Sequence, residues 1–387
     1  MMKTQTKYAC YGWQYNVRNE YRNLPFQPFW TWLTGKGIPY YCKPEYQLKN
    51  KTNYTYITII HLMINWLSIG LCLYLVYIAL QLFKINLLIS ITTLLLCQLI
   101  IVNRMRSFQA TFHYMTHGGA IKNKKLALRL SNYIISMPLL YVNWDRYFQS
   151  HVSEHHHPTI LCSTDDPDLI FIKQQGFSLC MSEFKFWLLV FFNPLKPNFL
   201  LNEIKGATLE TFYYPKFINK LISFIFWCSI FLLVIHYNLY LLILLGYFIP
   251  RFILFPHSMW LQLITEHSWF FEKGEDKPLK EYGKLTWGRF QGSPIPKSFI
   301  PLLFWLLKTF TYDVFIRLYV YPQDLPNHDF HHRMPHLHYW NIANERSSYE
   351  EFNVNKKHGE LYEVWGFIST LKVLRDQICY KKTNLFN

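Results

Sequence analysis

Long apolar runs separated by only a few residues leave a chain few ways to fold, and this one has two such pairs. Residues 56–83 are almost continuously apolar, Lys84 and Asn86 interrupt them, and residues 87–102 resume the run. The pattern recurs at 217–235, a break at His236, Tyr237 and Asn238, and 239–255. A helix rises about 1.5 Å per residue, so about 20 apolar residues cross a bilayer. The first run is long enough. The second is slightly short and gains length by taking in Ile85 or by thinning the bilayer locally. Each joining turn is too small to be a domain, so each pair returns to the side it left. The expected fold is an all-α integral membrane protein. Four transmembrane helices, at 56–83, 85–102, 217–235 and 239–256, form two hairpins beneath a cytosolic helical cap.

Composition agrees with that class. Hydrophobic residues make up 51% of the chain and aromatics 19%, against 16% charged. A net charge of +15 would suggest nucleic acid in a soluble protein. No basic helix or nucleic-acid module accompanies it, and the basic residues flank apolar runs, which fits anionic lipid headgroups and no nucleic-acid partner. Arg104, Arg106, Lys122, Lys124, Lys125 and Arg129 follow the second run and mark a cytosolic side, which then holds both termini. The start of the chain lacks the apolar stretch of a signal peptide. The eight cysteines are scattered without a CxxC pair, as expected on a reducing cytosolic face.

Three divisions follow: an N-terminal cytosolic or interfacial segment (1–55), a membrane domain (56–345) and a cytosolic tail (346–387). The first carries Tyr11, Trp13, Phe29, Trp30 and Trp32, residue types that favour the membrane interface. Residues 126–140 read as helical. The apolar stretches 184–192 and 299–307 are too short to cross and read as surface segments. Pro250 and Arg251 read as a kink and a snorkelling charge, and the chain from Lys356 as a small amphipathic helix.

Between and after the hairpins lie the histidines. One box is His113 and His117; a second is His151, His155 and His156, followed by His157; a third is His328, His331 and His332; His267 stands alone. Residues three or four apart share a helix face, so His113 pairs with His117, His151 with His155, and His328 with His331 and His332. A single HxxxH arises readily by chance. Three boxes joined to apolar segments need a common partner, because buried imidazoles must be satisfied. Nine histidines, His113, His117, His151, His155, His156, His267, His328, His331 and His332, exceed one ion's needs and suit two. The first box follows its membrane run by about three helical turns. Transporters place polar ligands near the bilayer midplane, so boxes outside the apolar runs argue against metal transport or storage. His61 and His236 read as locally satisfied. Glu154, Glu266 and Asp329 adjoin these histidines and are candidates to orient them; the alternative for each is simple solvation. Asp165 and Asp168 read as loop-holding residues or as bearing on a substrate entrance.

HxxxH, a box ending in paired histidines, and HxxHH, set between pairs of membrane runs, resemble the membrane fatty acid desaturase family over residues 56–345. Asp165-Asp166-Pro167-Asp168 after the second box, Arg333-Met334-Pro335 after the third, and Thr265-Glu266-His267 ahead of it agree. The second box has three residues between its first two histidines where many desaturases have two, a spacing closer to the related alkane hydroxylases. This leaves the choice among His155, His156 and His157 open. The resemblance implies a non-haem di-iron enzyme with two Fe and O2 as co-substrate, introducing a double bond into a lipid acyl chain. The alternative is a hydroxylase or ketolase acting on an alkane, carotenoid or sphingoid lipid. No Gly-rich dinucleotide fingerprint is present, so electrons are expected from a separate ferredoxin or b-type cytochrome.

Overall fold

A computed structural model describes residues 17–39, 54–271, 285–338, 340–352 and 361–381. Cys10, Tyr11, Trp13, Cys42 and Lys356 lie outside the described residues. The chain is mostly helical. Among the described residues, 5 helices are long and apolar enough to cross a membrane: α1 (Thr55–Leu82), α2 (Leu87–Thr116), α3 (Phe217–His236), α4 (Tyr240–Leu263) and α5 (Phe299–Tyr319). The first four match the expected runs. The fifth absorbs the 299–307 stretch into a helix of 21 residues.

The chain forms two compact units. One comprises residues 53–149 and 192–260, and the other residues 1–52, 150–191 and 261–387. The N-terminal segment and the tail join the unit that carries the second and third boxes.

In the first unit, Asn86 starts α2 by accepting the Ile89 N–H on its side chain (3.0 Å). The helix does not end with its apolar run at Val102. No glycine or proline follows until Gly118, so α2 continues through 30 residues, about 45 Å, to Thr116. The first box therefore rides the last turn of a membrane helix instead of following it. Three polar side chains inside the helix pair meet one another. Ser107 bonds His61 (2.8 Å) and accepts from Asn65 (2.9 Å). In α4, residues 244–248 and 250–254 are π-helical around Pro250. Ile249 gives its N–H to Leu244, and Pro250 has none to offer Leu245. Gln98 supplies the missing donor at 2.9 Å. Arg251 does not snorkel. It is buried and donates to the carbonyls of Leu139 and Leu140, which end the helical segment 124–139 (both 2.5 Å).

The second unit departs from an all-α expectation. Strand β1 (Gly288–Phe290) pairs in parallel with β2 (Glu363–Trp365). Around this ribbon, Tyr21, Trp30, Trp305, Phe290 and Trp365 form an aromatic core. Helix Gln27–Thr34 ends at Gly35 in the left-handed region (φ 77°). A Cβ there would come 2.4 Å from Pro326, so only glycine lets this segment meet the approach to the third box. Asn327 then donates to the Gly35 carbonyl (2.8 Å). On the other side of the box, buried Arg346 grips Asp329 (2.9 Å) and Glu363 (2.7 Å), and Lys36 reaches Glu350 (2.9 Å). Helix Phe367–Tyr380 closes the unit.

Candidate metal centre

Four histidines from three chain segments meet inside the second unit. His155 lies at the end of a helical turn, His267 just beyond α4, and His328 and His332 on helix His328–Arg333. All four are buried, and one ring nitrogen from each lies within 4.8 Å of the others. His267 is wholly enclosed and bridges in antiparallel fashion to Thr286. The turn before it is pinned by Arg289, which donates to the Gln262 carbonyl (3.0 Å) and the Thr265 hydroxyl (3.1 Å). Trp269 walls the group, its ring 4.7 Å from that of His267.

The distances fit a shared ion. Nitrogens held about 2.1 Å from one metal lie about 3.4 Å apart in a tetrahedral set and about 3.0 Å apart at right angles. His328 Nε2 and His332 Nε2 are 3.0 Å apart. His155 Nε2 and His267 Nε2 are buried with no hydrogen-bond partner among the described residues. A buried polar atom left so costs roughly 1–3 kcal/mol, a cost that a common cation removes. Burial first, then the neighbouring charges, holds His267 and His332 well below the ordinary imidazole range, so both present lone pairs. An all-imidazole set suits iron, zinc or copper and does not suit the oxygen-seeking magnesium or calcium.

His155 is the exception electrostatically. Burial favours its neutral form, but Asp168 and Asp166 outweigh it, and the imidazole is lifted to about 9. Its Nδ1 is 3.0 Å from Asp166 and 3.4 Å from Asp168, which leaves Nε2 for the group. This is a carboxylate–histidine pair of the kind that orients metal ligands. Asp166 also accepts from the N–H groups of Cys162 (2.7 Å) and Asp168 (3.0 Å), capping helix Pro167–Gln174. Asp165, expected with Asp168 to hold the loop, is exposed; Asp166, not singled out by the spacing, is buried and does the holding. Its signal was its place as the residue before a helix-starting proline.

A second gathering in the same unit contains His151, His156 and His331, with one nitrogen from each within 4.8 Å of the others. One expected pairing is kept here and one needs correction. The second box is π-helical over Phe148–His155, and His156 donates its N–H to the His151 carbonyl five residues back (3.0 Å). The wider turn adds His156 to His151, with ring nitrogens 3.1 Å apart, while His151 stays stacked on His155 (rings 5.2 Å apart) and gathers with it and Asp168; His155 also belongs to the four-histidine group. In the third box only His328 and His332 act together. His331 turns to His156, rings 4.9 Å apart. His157 is exposed and bonds Thr159 (2.8 Å), which separates it from His155 and His156.

The first unit holds His113 and His117, half-buried, with rings 5.0 Å apart. Tyr147 bonds His113 Nδ1 through its hydroxyl (3.1 Å), a support that no spacing in the sequence marks. Of the expected orienting carboxylates, Glu266 is buried, its oxygen 3.9 Å from His328 Nε2 and 3.7 Å from Arg289. Asp329 is committed to Arg346, and Glu154 is half-buried on the second box. His61 meets Ser107, and His236 is exposed at the end of α3. Comparison with protein-family models, with curated proteins and with solved structures gave no match.

Proposed function

We propose that this chain is a membrane-bound non-haem di-iron oxidoreductase that desaturates a lipid acyl chain. The observation that carries the reading is the buried four-histidine group with a carboxylate behind His155. His155, His267, His328 and His332 would hold one iron. His151, His156 and His331, gathered in the same unit, are donors left for the other. A ferrous pair supplies the reductive activation of O2. The balance is one –CH2–CH2– unit, one O2, two electrons and two protons giving –CH=CH– and two waters. The protein's own contribution is to hold the imidazoles in place and to set Asp166 and Asp168 behind His155. Asp166, Asp168 and Glu266 offset the charge that neutral ligands cannot. Electrons come from a separate carrier, a ferredoxin or b-type cytochrome, at the cytosolic face.

The test is lipid analysis of cells expressing the protein, with metal analysis of the purified chain. Acyl products lacking two hydrogens and two irons per chain support the reading. Products gaining one oxygen would make it a hydroxylase. Unchanged lipids with a competent donor, or one metal per chain at full activity, would overturn it.

A further inference from the structure

Helix α5 is long and apolar enough to span a bilayer, yet its faces differ sharply. One side is open: Phe299 is 72% exposed, Ile300 66%, Phe304 67% and Leu307 62%, and Leu303 and Phe310 continue the stripe. The other side is buried and partly polar. Trp305 packs against Tyr21 and Trp30, Arg317 donates to the Trp32 carbonyl (2.6 Å), and Asp313 is enclosed. The spacing of the open residues, three and four apart, makes one continuous face.

The charge pattern decides what that face meets. Lys308 stands near the middle of the 21 residues and holds Asp313 at 2.8 Å, with 42% of its own side chain exposed. In a membrane-crossing helix this position is the bilayer centre, where insertion of a lysine costs about 2.5–3.5 kcal/mol. Lying flat, the same lysine stands at the edge of the apolar stripe and reaches water or headgroups. The stripe is extended by neighbouring chain. Phe26 is 81% exposed, and Phe29 beside it stacks on Phe310 (5.8 Å).

We propose that α5 does not cross the membrane but lies in its interface. Its Phe299–Phe310 stripe sinks into the headgroup and acyl boundary and docks the histidine-bearing unit on a lipid surface. Interfacial helices of this type sit about 5–10 Å into that boundary. The proposal is independent of the chemistry at the histidines.

The experiment uses the full chain reconstituted in phosphatidylcholine–phosphatidylglycerol vesicles. Single changes Ser298→Cys and Phe315→Cys, about 26 Å apart along the helix, are labelled with a membrane-impermeant maleimide, with the unsubstituted chain as background. Nitroxides placed at Ile300, Phe304 and Leu307 report depth. Labelling of both ends from one side, with equal nitroxide depths, is the expected result. Labelling from opposite sides, with depth greatest near Leu307, would show a crossing helix. Cross-linking of Phe304→Cys between copies, with no lipid-depth signal, would show that a second copy covers the stripe. Either outcome overturns the proposal.

Discussion

His155 and His113 are both box histidines with Nδ1 engaged, but their partners differ in kind. His155 faces the Asp166 carboxylate at 3.0 Å inside a buried group. His113 faces the Tyr147 hydroxyl at 3.1 Å on a half-buried helix end. A hydrogen bond to a charged acceptor is roughly twice as strong as one between neutral groups. The imidazole backed by Asp166 is therefore the more firmly oriented and the more basic donor. A box motif places an imidazole; what stands behind it sets how firmly the ring is held and how basic it is.

The harshest break in this comparison is to remove a donor outright. His267→Ala should abolish turnover and lower bound metal, with the protein still folded and membrane-inserted. His267 is enclosed and, among the described residues, shares its group with three other histidines. His236→Ala, at the exposed end of α3, should leave both nearly unchanged. Full metal content in His267→Ala would show that the group closes without it.

Asp166→Asn should come next. It keeps the side chain's shape and removes the charge behind His155. The expected loss is about 10–100-fold in metal affinity, the usual effect of an orienting partner, read by competition with a chelator. Helix Pro167–Gln174 keeps a capping side chain, so folding should survive. Unchanged affinity would mean that Asp168, at 3.4 Å, supports His155 alone.

What the sequence could and could not reveal follows from the same contrast. The apolar runs and the clustering of the histidines were legible because bilayer thickness and helical spacing each impose a pattern on neighbouring residues. The partition of those histidines was not. His155 and His156 go to different groups because one turn is π-helical, and nothing in the spacing distinguishes that turn from an α-helical one. Asp166 was within reach as a cap before proline. Tyr147 was not, because it meets His113 only through packing across 34 positions of chain. The β1–β2 ribbon joins segments more than 70 residues apart, and three-residue strands leave no periodicity to read.

Tyr147→Phe sharpens the comparison with a smaller effect. The ring still packs on Phe112 (5.2 Å), so only the hydroxyl support of His113 is lost. The chelator competition should weaken by less than in Asp166→Asn. An equal or larger loss would reverse the ranking of the two supports.

The smallest effect is on the pH dependence of the metal-free protein. His267 and His332 have pKa values pushed well below 6.5 by burial and neighbouring histidines. The unfolded chain then binds more protons than the folded one in that window, so folded stability is lost as pH falls below 6.5. His155 has the opposite sign. Asp168 and Asp166 raise it to about 9, so its contribution is full below 6.5 and is lost as pH rises to about 9. Chelator-treated protein in detergent should therefore have its highest Tm near pH 6.5, with a fall on each side. Asp166→Asn should flatten the alkaline fall and leave the acid limb in place. Bound metal should suppress both limbs, because a coordinated imidazole no longer exchanges its proton in this range. An alkaline limb unchanged in Asp166→Asn would show that the carboxylate does not govern His155.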